Sequence, residues 1–162
     1  DLPHVIEYRR GLLPEPEREF YISGDAFVKD WIIKVRNDVP DAPVLVTAGG
    51  LLHYFEENKV ISLLRMIGQS GNMEVVFDTV NKKGMAMMQK KYMKQVGHAD
   101  AQMFFYVDAA KELAAKIRGN VKVIAEEPYY RYIPKNGLKL STKVSMAVSD
   151  QFKMVKMIHL KL

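Results

Sequence analysis

The chain has 162 residues, of which 48% are hydrophobic and 27% are charged, a composition that supports one globular domain with a real core and argues against disorder. No apolar run approaches the roughly 18 residues that a membrane span needs, and no charged-then-apolar leader precedes the first element, so we expect a cytoplasmic protein without a membrane partner. The absence of cysteine excludes disulfides and thiolate metal sites. The net charge of +5 is spread along the chain, which favours solvated surface over a nucleic-acid interface.

The first forty residues predict two helices and a strand. A helix begins at Asp1-Leu2-Pro3, because an acidic residue ahead of an early proline favours initiation, and it is stopped by Pro14. Residues 20–22 predict a short strand. After a turn at 23–25, apolar residues at helical spacing predict a second helix that starts at Ala26.

The stretch 42–55 predicts a strand, a tight loop and a helix. Residues 44–46 form a short apolar run with Pro43 on one side and Gly49-Gly50 on the other, which is typical of a strand buried on both faces. The glycines allow a sharp turn and a close approach to a ligand, and Glu56-Glu57 open a helix. This order predicts a crevice at the carboxyl end of the strand.

The remaining elements predict an α/β fold with a mostly parallel sheet, helices on both faces and an antiparallel terminal strand pair. In chain order they are a buried strand at 73–77 ending at Asp78, a helix at 84–96, a helix capped by Asp108 and running through Ile117, a strand at 121–125, a helix at 141–152 and a strand at 153–162. We predict a single domain over residues 1–162.

Several local sequences, taken in order, resemble the S-adenosylmethionine-dependent O-methyltransferases of the leucine carboxyl methyltransferase and polyketide O-methyltransferase type. They are Asp1-Leu2-Pro3, Arg9-Arg10-Gly11-Leu12-Leu13, Gly24-Asp25-Ala26, Trp31-Ile32, Leu51-Leu52-His53-Tyr54 and Val76-Phe77-Asp78. The resemblance covers essentially the whole chain. It implies a Rossmann-like methyltransferase fold and S-adenosylmethionine as cofactor.

The resemblance also implies roles for particular residues. It places Asp1 at the cofactor ribose, Asp25 with Ala26 at the adenine, and the loop from Gly49-Gly50 to Tyr54 at the methionine part and the acceptor. Where this chain has Gly49-Gly50 the family usually has Glu-Gly, so a carboxylate expected in the site is missing. The family's first strand and its glycine-rich turn belong before Asp1, so the resemblance implies an N-terminally truncated methyltransferase domain.

The family's sheet has the strand order 3-2-1-4-5-7-6, so the missing first strand would border the strand at 44–48. That strand would then present unpaired backbone groups at a sheet edge. We therefore expect a homodimer or higher oligomer formed through this edge, or a displaced helix that covers it.

His53 and Tyr54 are the candidate catalytic residues, because they follow the glycine loop and a hydroxyl acceptor benefits from a base, whereas a carboxylate acceptor needs none. The structural alternatives are that His53 hydrogen-bonds locally and that Tyr54 packs under the next helix. Asp25 fits either the cofactor or the N-cap of the helix at Ala26, and Asp78 fits either a cap or the site.

Other side chains give weaker indications. The methionines at 85, 87, 88, 93 and 103, with Phe104, Phe105 and Tyr106, fit either an acceptor pocket or plain core. The histidines at 4, 98 and 159 lack partners at ligand spacing, so no metal site is predicted. The aromatic run 129–132 is short and has no matching groove, so no nucleic-acid partner is expected.

These observations predict the carboxyl-terminal part of an S-adenosylmethionine-dependent O-methyltransferase that transfers a methyl group to a carboxylate or hydroxyl of a small-molecule acceptor. Without the glycine-rich cofactor turn, activity of the chain by itself is in question. The alternative is a non-catalytic binding or assembly module that keeps the methyltransferase fold.

Overall fold

The computed structural model describes residues 1–92 and 102–162. Contacts divide the chain into two compact units, residues 1–42 and residues 43–162. Since compact units need not fold separately, the single domain over 1–162 stays a prediction. Within the described ranges, no helix has both the length and the apolar character needed to cross a membrane.

The first unit contains helices α1 (Pro3–Leu12) and α2 (Asp30–Asp38). The prediction that α2 starts at Ala26 with Asp25 as its N-cap is wrong. The Asp25 carboxylate accepts the Phe27 N–H at 2.9 Å and the Asp25 carbonyl accepts the Val28 N–H at 3.1 Å. These two bonds close a turn ahead of the helix, so Asp25 caps that turn.

The strand predicted at residues 20–22 is also wrong. The Tyr21 N–H donates to the Glu15 carboxylate at 2.7 Å, and the Ile22 carbonyl accepts the Asp1 ammonium at 3.1 Å. The Gly24 N–H donates to the Asp1 carbonyl at 2.8 Å. In these backbone hydrogen bonds, which resemble those of a strand pair, Asp1 is thus the one partner of residues 22–24. A strand needs a partner of several residues, and here side chains and one terminal residue satisfy the backbone instead.

The second unit is built on a four-stranded sheet with strands β1 (Val44–Ala48), β2 (Met73–Val80), β3 (Lys122–Pro128) and β4 (Val155–Lys161), in the order β1-β2-β4-β3. β1 and β2 are parallel, and β4 is antiparallel to both β2 and β3. The predicted α/β class and antiparallel terminal pair are confirmed. The described sheet is mixed instead of mostly parallel, because β4 enters between β2 and β3 in the opposite direction.

The strand β1 lies at the edge of the sheet, and none of its side chains is buried. Leu45 is 57% exposed. The prediction that this strand is buried on both faces is therefore wrong, because Leu45 and Thr47 on one face are exposed and the side chains on the other face are only half-buried. The central strand β2 takes that place instead, with Met73, Val75 and Phe77 in the core.

Among the described residues, this unit also contains four helices and two shorter turns. They are a 3-10 turn at Leu52–Tyr54, α3 (Glu57–Gly68), α4 (Lys82–Met87) continued by a π-helical turn at Met88–Tyr92, α5 (Ala110–Ile117) and α6 (Leu140–Gln151). The predicted helix at 84–96 starts earlier, at Lys82, because the Asn81 side chain accepts the Gly84 N–H and caps it. Its predicted end at Val96 lies outside the described residues.

The cap predicted at Asp108 is wrong in an informative way. α5 starts at Ala110, and the carboxylate that accepts the Ala110 N–H belongs to Glu126 of β3, at 3.1 Å. The Asp108 carboxylate instead accepts the Lys82 N–H at 3.0 Å, at the start of α4. The start of α5 is thus capped by Glu126 from the sheet and not by Asp108, which is closer in sequence.

A buried charge holds these parts together. Lys156 of β4 is 1% exposed, and its ammonium donates to the Glu126 carboxylate at 2.6 Å and to the Asp108 carbonyl at 2.8 Å. Burial raises the pKa of Glu126, but the hydrogen bonds from Lys156 and from the Ala110 N–H outweigh burial and lower that pKa overall. The pair therefore stays ionised and links β3, β4 and the start of α5.

We expect Glu126→Gln to reduce the free energy of unfolding by about 3 kcal/mol at pH 7, because it leaves the Lys156 ammonium buried without a counter-charge. Urea unfolding measures this loss. Glu127→Gln is the matched control: its partner Arg131 is a surface residue, so the loss should stay below about 1 kcal/mol. Equal losses in the two variants would contradict a structural role for the buried pair.

The same pair predicts a pH dependence. The pKa of Glu126 is lower in the folded chain than its ordinary value of 4.5, so its contribution to stability is complete above that pH and is lost as the pH falls through the folded pKa. Wild-type unfolding should show this acid-side loss. In Glu126→Gln the corresponding part of the pH profile should be flat.

Candidate functional site

The parallel strands β1 and β2 run side by side, so their carboxyl ends lie at the same end of the sheet. Ala48 pairs with Phe77, so the glycines after Ala48 lie beside Asp78. The Gly50 N–H donates to the Asp78 carboxylate at 2.7 Å. This bond joins the two parallel strands at the edge where α/β folds bind ligands.

The glycine turn leaves its backbone open. Gly50 has φ +65°, a left-handed conformation that glycine adopts without strain, and a Cβ placed at Gly49 or Gly50 would meet nothing within 4 Å. The predicted tight loop is thus present with an accessible main chain. Of the two Asp78 oxygens, Oδ1 is held by the turn, and no described residue donates a hydrogen bond to the other.

The short turn that follows is fixed from a distant part of the chain. The His53 carbonyl accepts the N–H groups of Phe104 and Phe105 at 2.7 and 3.3 Å. The Val107 N–H donates to the Val80 carbonyl at 2.9 Å, at the end of β2. We refer to residues 103–107 as the wall segment. These bonds hold it against the 3-10 turn at Leu52–Tyr54 and against the central strand β2.

The imidazole of His53 is buried without a partner at one nitrogen. The side chain is 6% exposed, and within residues 1–92 and 102–162 no group hydrogen-bonds to its Nδ1. Burial lowers the pKa of His53, while the nearby Asp78 carboxylate acts in the opposite direction. The ring is therefore neutral at pH 7 and has a nitrogen without a partner among the described residues.

The local hydrogen bond considered for His53 is not found among the described residues, because Nδ1 has no partner there and the carbonyl accepts from Phe104 and Phe105, which are distant in sequence. Tyr54 packs edge-to-face against the His53 ring, with ring centroids 5.4 Å apart, and remains 40% exposed. It is not buried under the next helix. One Asp78 oxygen caps the glycine turn, as the structural alternative expected, and the site role considered for Asp78 stays a prediction.

Beside the wall segment, a groove of about 290 Å³ lies between helices α3 and α5. The Lys116 ammonium of α5 binds the Glu57 carboxylate of α3 at 2.6 Å across it, and Arg65 of α3 donates to the Ile117 carbonyl at 2.8 Å. The lining residues are Glu57, Phe104, Tyr106, Val107, Asp108, Ala109, Glu112, Leu113 and Lys116. Two of the aromatic residues predicted for an acceptor pocket, Phe104 and Tyr106, therefore line a groove.

The methionines divide between the two alternatives, since Met87 is 48% exposed and Met85 and Met88 are half-buried. Met103 and Phe105 are buried in the core. Met93 lies outside the described residues, as does His98. Sequence reasoning did not predict the contact between Asp78 and Gly50 or the bonds from the wall segment to His53, because both join residues far apart in the chain.

The other predicted cofactor residues lie in the first unit. The Asp1 carboxylate accepts the Leu2 N–H at 2.9 Å, the Asp25 carboxylate closes its turn, and the Ala26 carbonyl accepts the Trp31 indole N–H at 2.9 Å. The bond from Gly24 to Asp1 brings the Asp1 backbone next to the residue that precedes Asp25. Within their unit, the positions predicted at ribose and adenine are therefore neighbours.

Comparison with known proteins identifies the relatives of this chain. No protein-family profile matches it. It is 32% identical over 132 residues to the S-adenosyl-L-methionine-dependent methyltransferase dpfgK of Gibberella zeae, a match that covers 74% of this chain and 43% of the relative. The chain thus spans less than half of that relative.

Solved structures agree on the fold. A DUF574 family protein from Streptomyces avermitilis matches with a TM-score of 0.63 at 12% identity, covering 98% of this chain and 62% of its own. A candidate methyltransferase from Thermobifida fusca gives 0.61 at 13% identity, covering 98% and 59%. LepI, solved in complex with SAM, gives 0.56 at 17% identity, covering 100% of this chain and 35% of its own.

These findings confirm the resemblance at the level of the methyltransferase class, and S-adenosylmethionine as the cofactor of that class. The leucine carboxyl or polyketide subtype and the N-terminal truncation stay predictions. The chain is a homologue of the S-adenosylmethionine-dependent methyltransferases and has their α/β fold.

Proposed function

We propose that this chain takes part in S-adenosylmethionine-dependent O-methylation of a small organic acceptor, through the edge of the sheet formed by Gly49-Gly50, Asp78 and His53. The observation that carries the proposal is the glycine turn held by Asp78 at the carboxyl ends of two parallel strands, with a buried neutral imidazole in the next turn. The relative of Gibberella zeae supports the methyltransferase class.

The residues present fit the cofactor. S-adenosylmethionine is cationic at its sulfonium and ammonium groups, and the open Asp78 oxygen offers a carboxylate that no described side chain neutralises. The main chain at Gly49-Gly50 has room for a ligand to approach. When bound, the cofactor supplies an activated methyl group for transfer to a nucleophilic oxygen.

The protein's own task is to position the acceptor and to manage one proton. A hydroxyl acceptor must lose its proton as its oxygen is alkylated, and a neutral imidazole is the side chain suited to take it up near pH 7. His53 suits this task in its protonation state, because burial keeps it neutral and no described residue hydrogen-bonds to its buried Nδ1. We therefore propose a hydroxyl acceptor over a carboxylate, with His53 as the base and Tyr54 beside it.

The groove beside the wall segment provides a surface for the rest of the acceptor that combines two aromatic side chains with charged ones. Phe104 and Tyr106 present aromatic side chains there, and the segment is bonded to His53. An acceptor lying along this segment would be held close to the base. Positioning of this kind supplies much of the rate enhancement in a displacement reaction.

Binding of the cofactor tests the role of Asp78. We expect Asp78→Asn to weaken binding of S-adenosylmethionine by about 10-fold, because Asn keeps an acceptor for the Gly50 N–H but removes the negative charge. Binding of S-adenosylhomocysteine, which lacks the sulfonium charge, should change less. Isothermal titration of the 162-residue chain measures both.

Asp41→Asn, an exposed carboxylate in the first unit, is the control and should leave both affinities unchanged. Unchanged cofactor binding in Asp78→Asn would contradict the proposed contact. Absent or millimolar binding by the wild-type chain would instead favour the non-catalytic module.

The buried imidazole predicts a separate pH dependence. The pKa of His53 in the folded chain is below its ordinary value of 6.5, so the neutral form is favoured by folding. Its contribution to stability is therefore complete above pH 6.5 and is lost as the pH falls through the folded pKa. Thermal unfolding should show this loss in the wild type and not in His53→Gln.

His4→Gln is the matched control, since His4 is exposed, and it should keep the wild-type pH profile. With a hydroxyl acceptor, His53→Gln should also reduce kcat by a factor on the order of 100 or more, which is typical of a lost general base. A pH profile of stability identical in His53→Gln and wild type would show that the ring is not held neutral.

A further inference from the structure

Helix α6 exposes an apolar stripe along its whole length. Leu140 is 77% exposed, Val144 53%, Val148 45% and Phe152, directly after the helix, 59%. Residues four apart lie on the same side of a helix, so these side chains form one continuous ridge. Such a ridge normally faces a core.

The polarity of this helix is inverted. The side chain that α6 buries is Ser149, and its hydroxyl has no partner among residues 1–92 and 102–162. The charged side chains Lys143 and Asp150 are half-buried, off the ridge. Between and around the ridge residues the exposed positions are Ser141, Ser145, Ala147 and Gln151, which are uncharged.

An aromatic segment extends the apolar surface at one end of the helix. The Tyr130 N–H donates to the Asp150 carboxylate at 3.1 Å, which holds residues 129–132 against the end of α6. Tyr132 there is 75% exposed. Exposed apolar surface of this extent marks an interaction site.

We propose that a second copy of this chain covers the ridge, with the two α6 helices antiparallel about a two-fold axis between Val144 and Val148. The ridge reads large, small, small, large from Leu140 to Phe152, so reversing its direction reproduces the pattern. In the pairing, Val144 faces Val148 of the second copy and Leu140 faces Phe152 of the second copy. A surface that complements itself in this way is what an isologous dimer requires.

The chemistry of the ridge favours a second copy over a partner of another kind. The chain carries a net charge of +5, yet the four ridge side chains are uncharged, and the exposed Lys139 and Lys153 lie beyond its two ends. A strongly charged partner would find no counter-charges on the ridge. The small side chains at 141, 145 and 147 allow two helices to approach closely, with i±4 ridges packed into grooves at a crossing angle of about −50°.

This surface differs from the sheet edge predicted to mediate oligomerisation. At that edge β1 offers one short strand with Leu45 exposed. The ridge of α6 offers four apolar side chains and a neighbouring aromatic segment. We therefore place the homodimer contact at α6, and the β1 edge becomes the competing outcome of the test.

Sedimentation velocity of the full 162-residue chain tests the proposal. The concentrations run from on the order of 1 to 300 μM, because a small interface gives a weak dimer. We expect a reversible monomer–dimer equilibrium, weakened at least 10-fold by Val144→Lys. Thr142→Lys, the same change on the same helix off the ridge, should dimerise like the wild type, as should Leu45→Lys. Circular dichroism checks the fold of each variant, and Leu140→Lys replaces Val144→Lys if the latter does not fold.

The register is tested by cross-linking, since the chain has no native cysteine. A short bismaleimide should join Leu140→Cys to Phe152→Cys in a mixture of the two variants, and much less within either variant alone. The proposal is overturned by a wild-type monomer at every concentration, by dissociation through Leu45→Lys and not Val144→Lys, or by binding of a monomer to anionic phosphatidylserine vesicles through the ridge.

Discussion

The second unit depends on one buried charge. Lys156 lies in the core of the sheet, and its ammonium is satisfied by a carboxylate of β3 and a carbonyl just before α5. The same Glu126 carboxylate holds the first N–H of α5 with its other oxygen, and the Asp108 side chain holds the first N–H of α4. Two helices are thus positioned by polar groups that the antiparallel strands bring together, and their starts follow from the sheet.

The wall segment inherits its position from this arrangement. It leads directly into Asp108, is bonded to the end of β2, and reaches the carbonyl of His53. The carbonyl of the candidate base is therefore held by a segment that continues into Asp108, whose carbonyl is bonded to Lys156 of β4. The glycine turn has a more local basis, since the parallel register of β1 and β2 alone brings Gly50 to Asp78.

Most of the sheet could be predicted from sequence, because β-branched and apolar runs bounded by glycine or proline mark strands whatever their partners. The errors arise where the structure of a segment depends on a partner that is distant in the sequence. Residues 20–22 have strand-like composition but no neighbouring strand, and the run at 44–46 is apolar enough for a central position but lies at the edge. Asp108 has the right residue type for a cap at α5, yet Glu126 from the sheet displaces it.

The candidate site was predictable in its loop and less so in its contacts. The glycines, His53 and Tyr54 are adjacent in sequence, so local reasoning finds them. The bond from Gly50 to Asp78 joins the turn after β1 to the strand β2. The bonds from Phe104 and Phe105 to His53 join segments that are far apart in the sequence. The inverted polarity of α6 was likewise hidden, because the helical pattern of apolar residues does not say which side faces outward.

The two hydrogen bonds accepted by the His53 carbonyl couple the backbone of His53 to the wall segment. To shift either without the other, two backbone hydrogen bonds worth about 1 kcal/mol each must be broken. A displacement of the Phe104 backbone therefore also strains the backbone of His53. The range of molecular shapes that the groove accepts is consequently limited by the position that the candidate base must keep. To widen the groove without moving His53, residues 103–107 would need other hydrogen-bond partners.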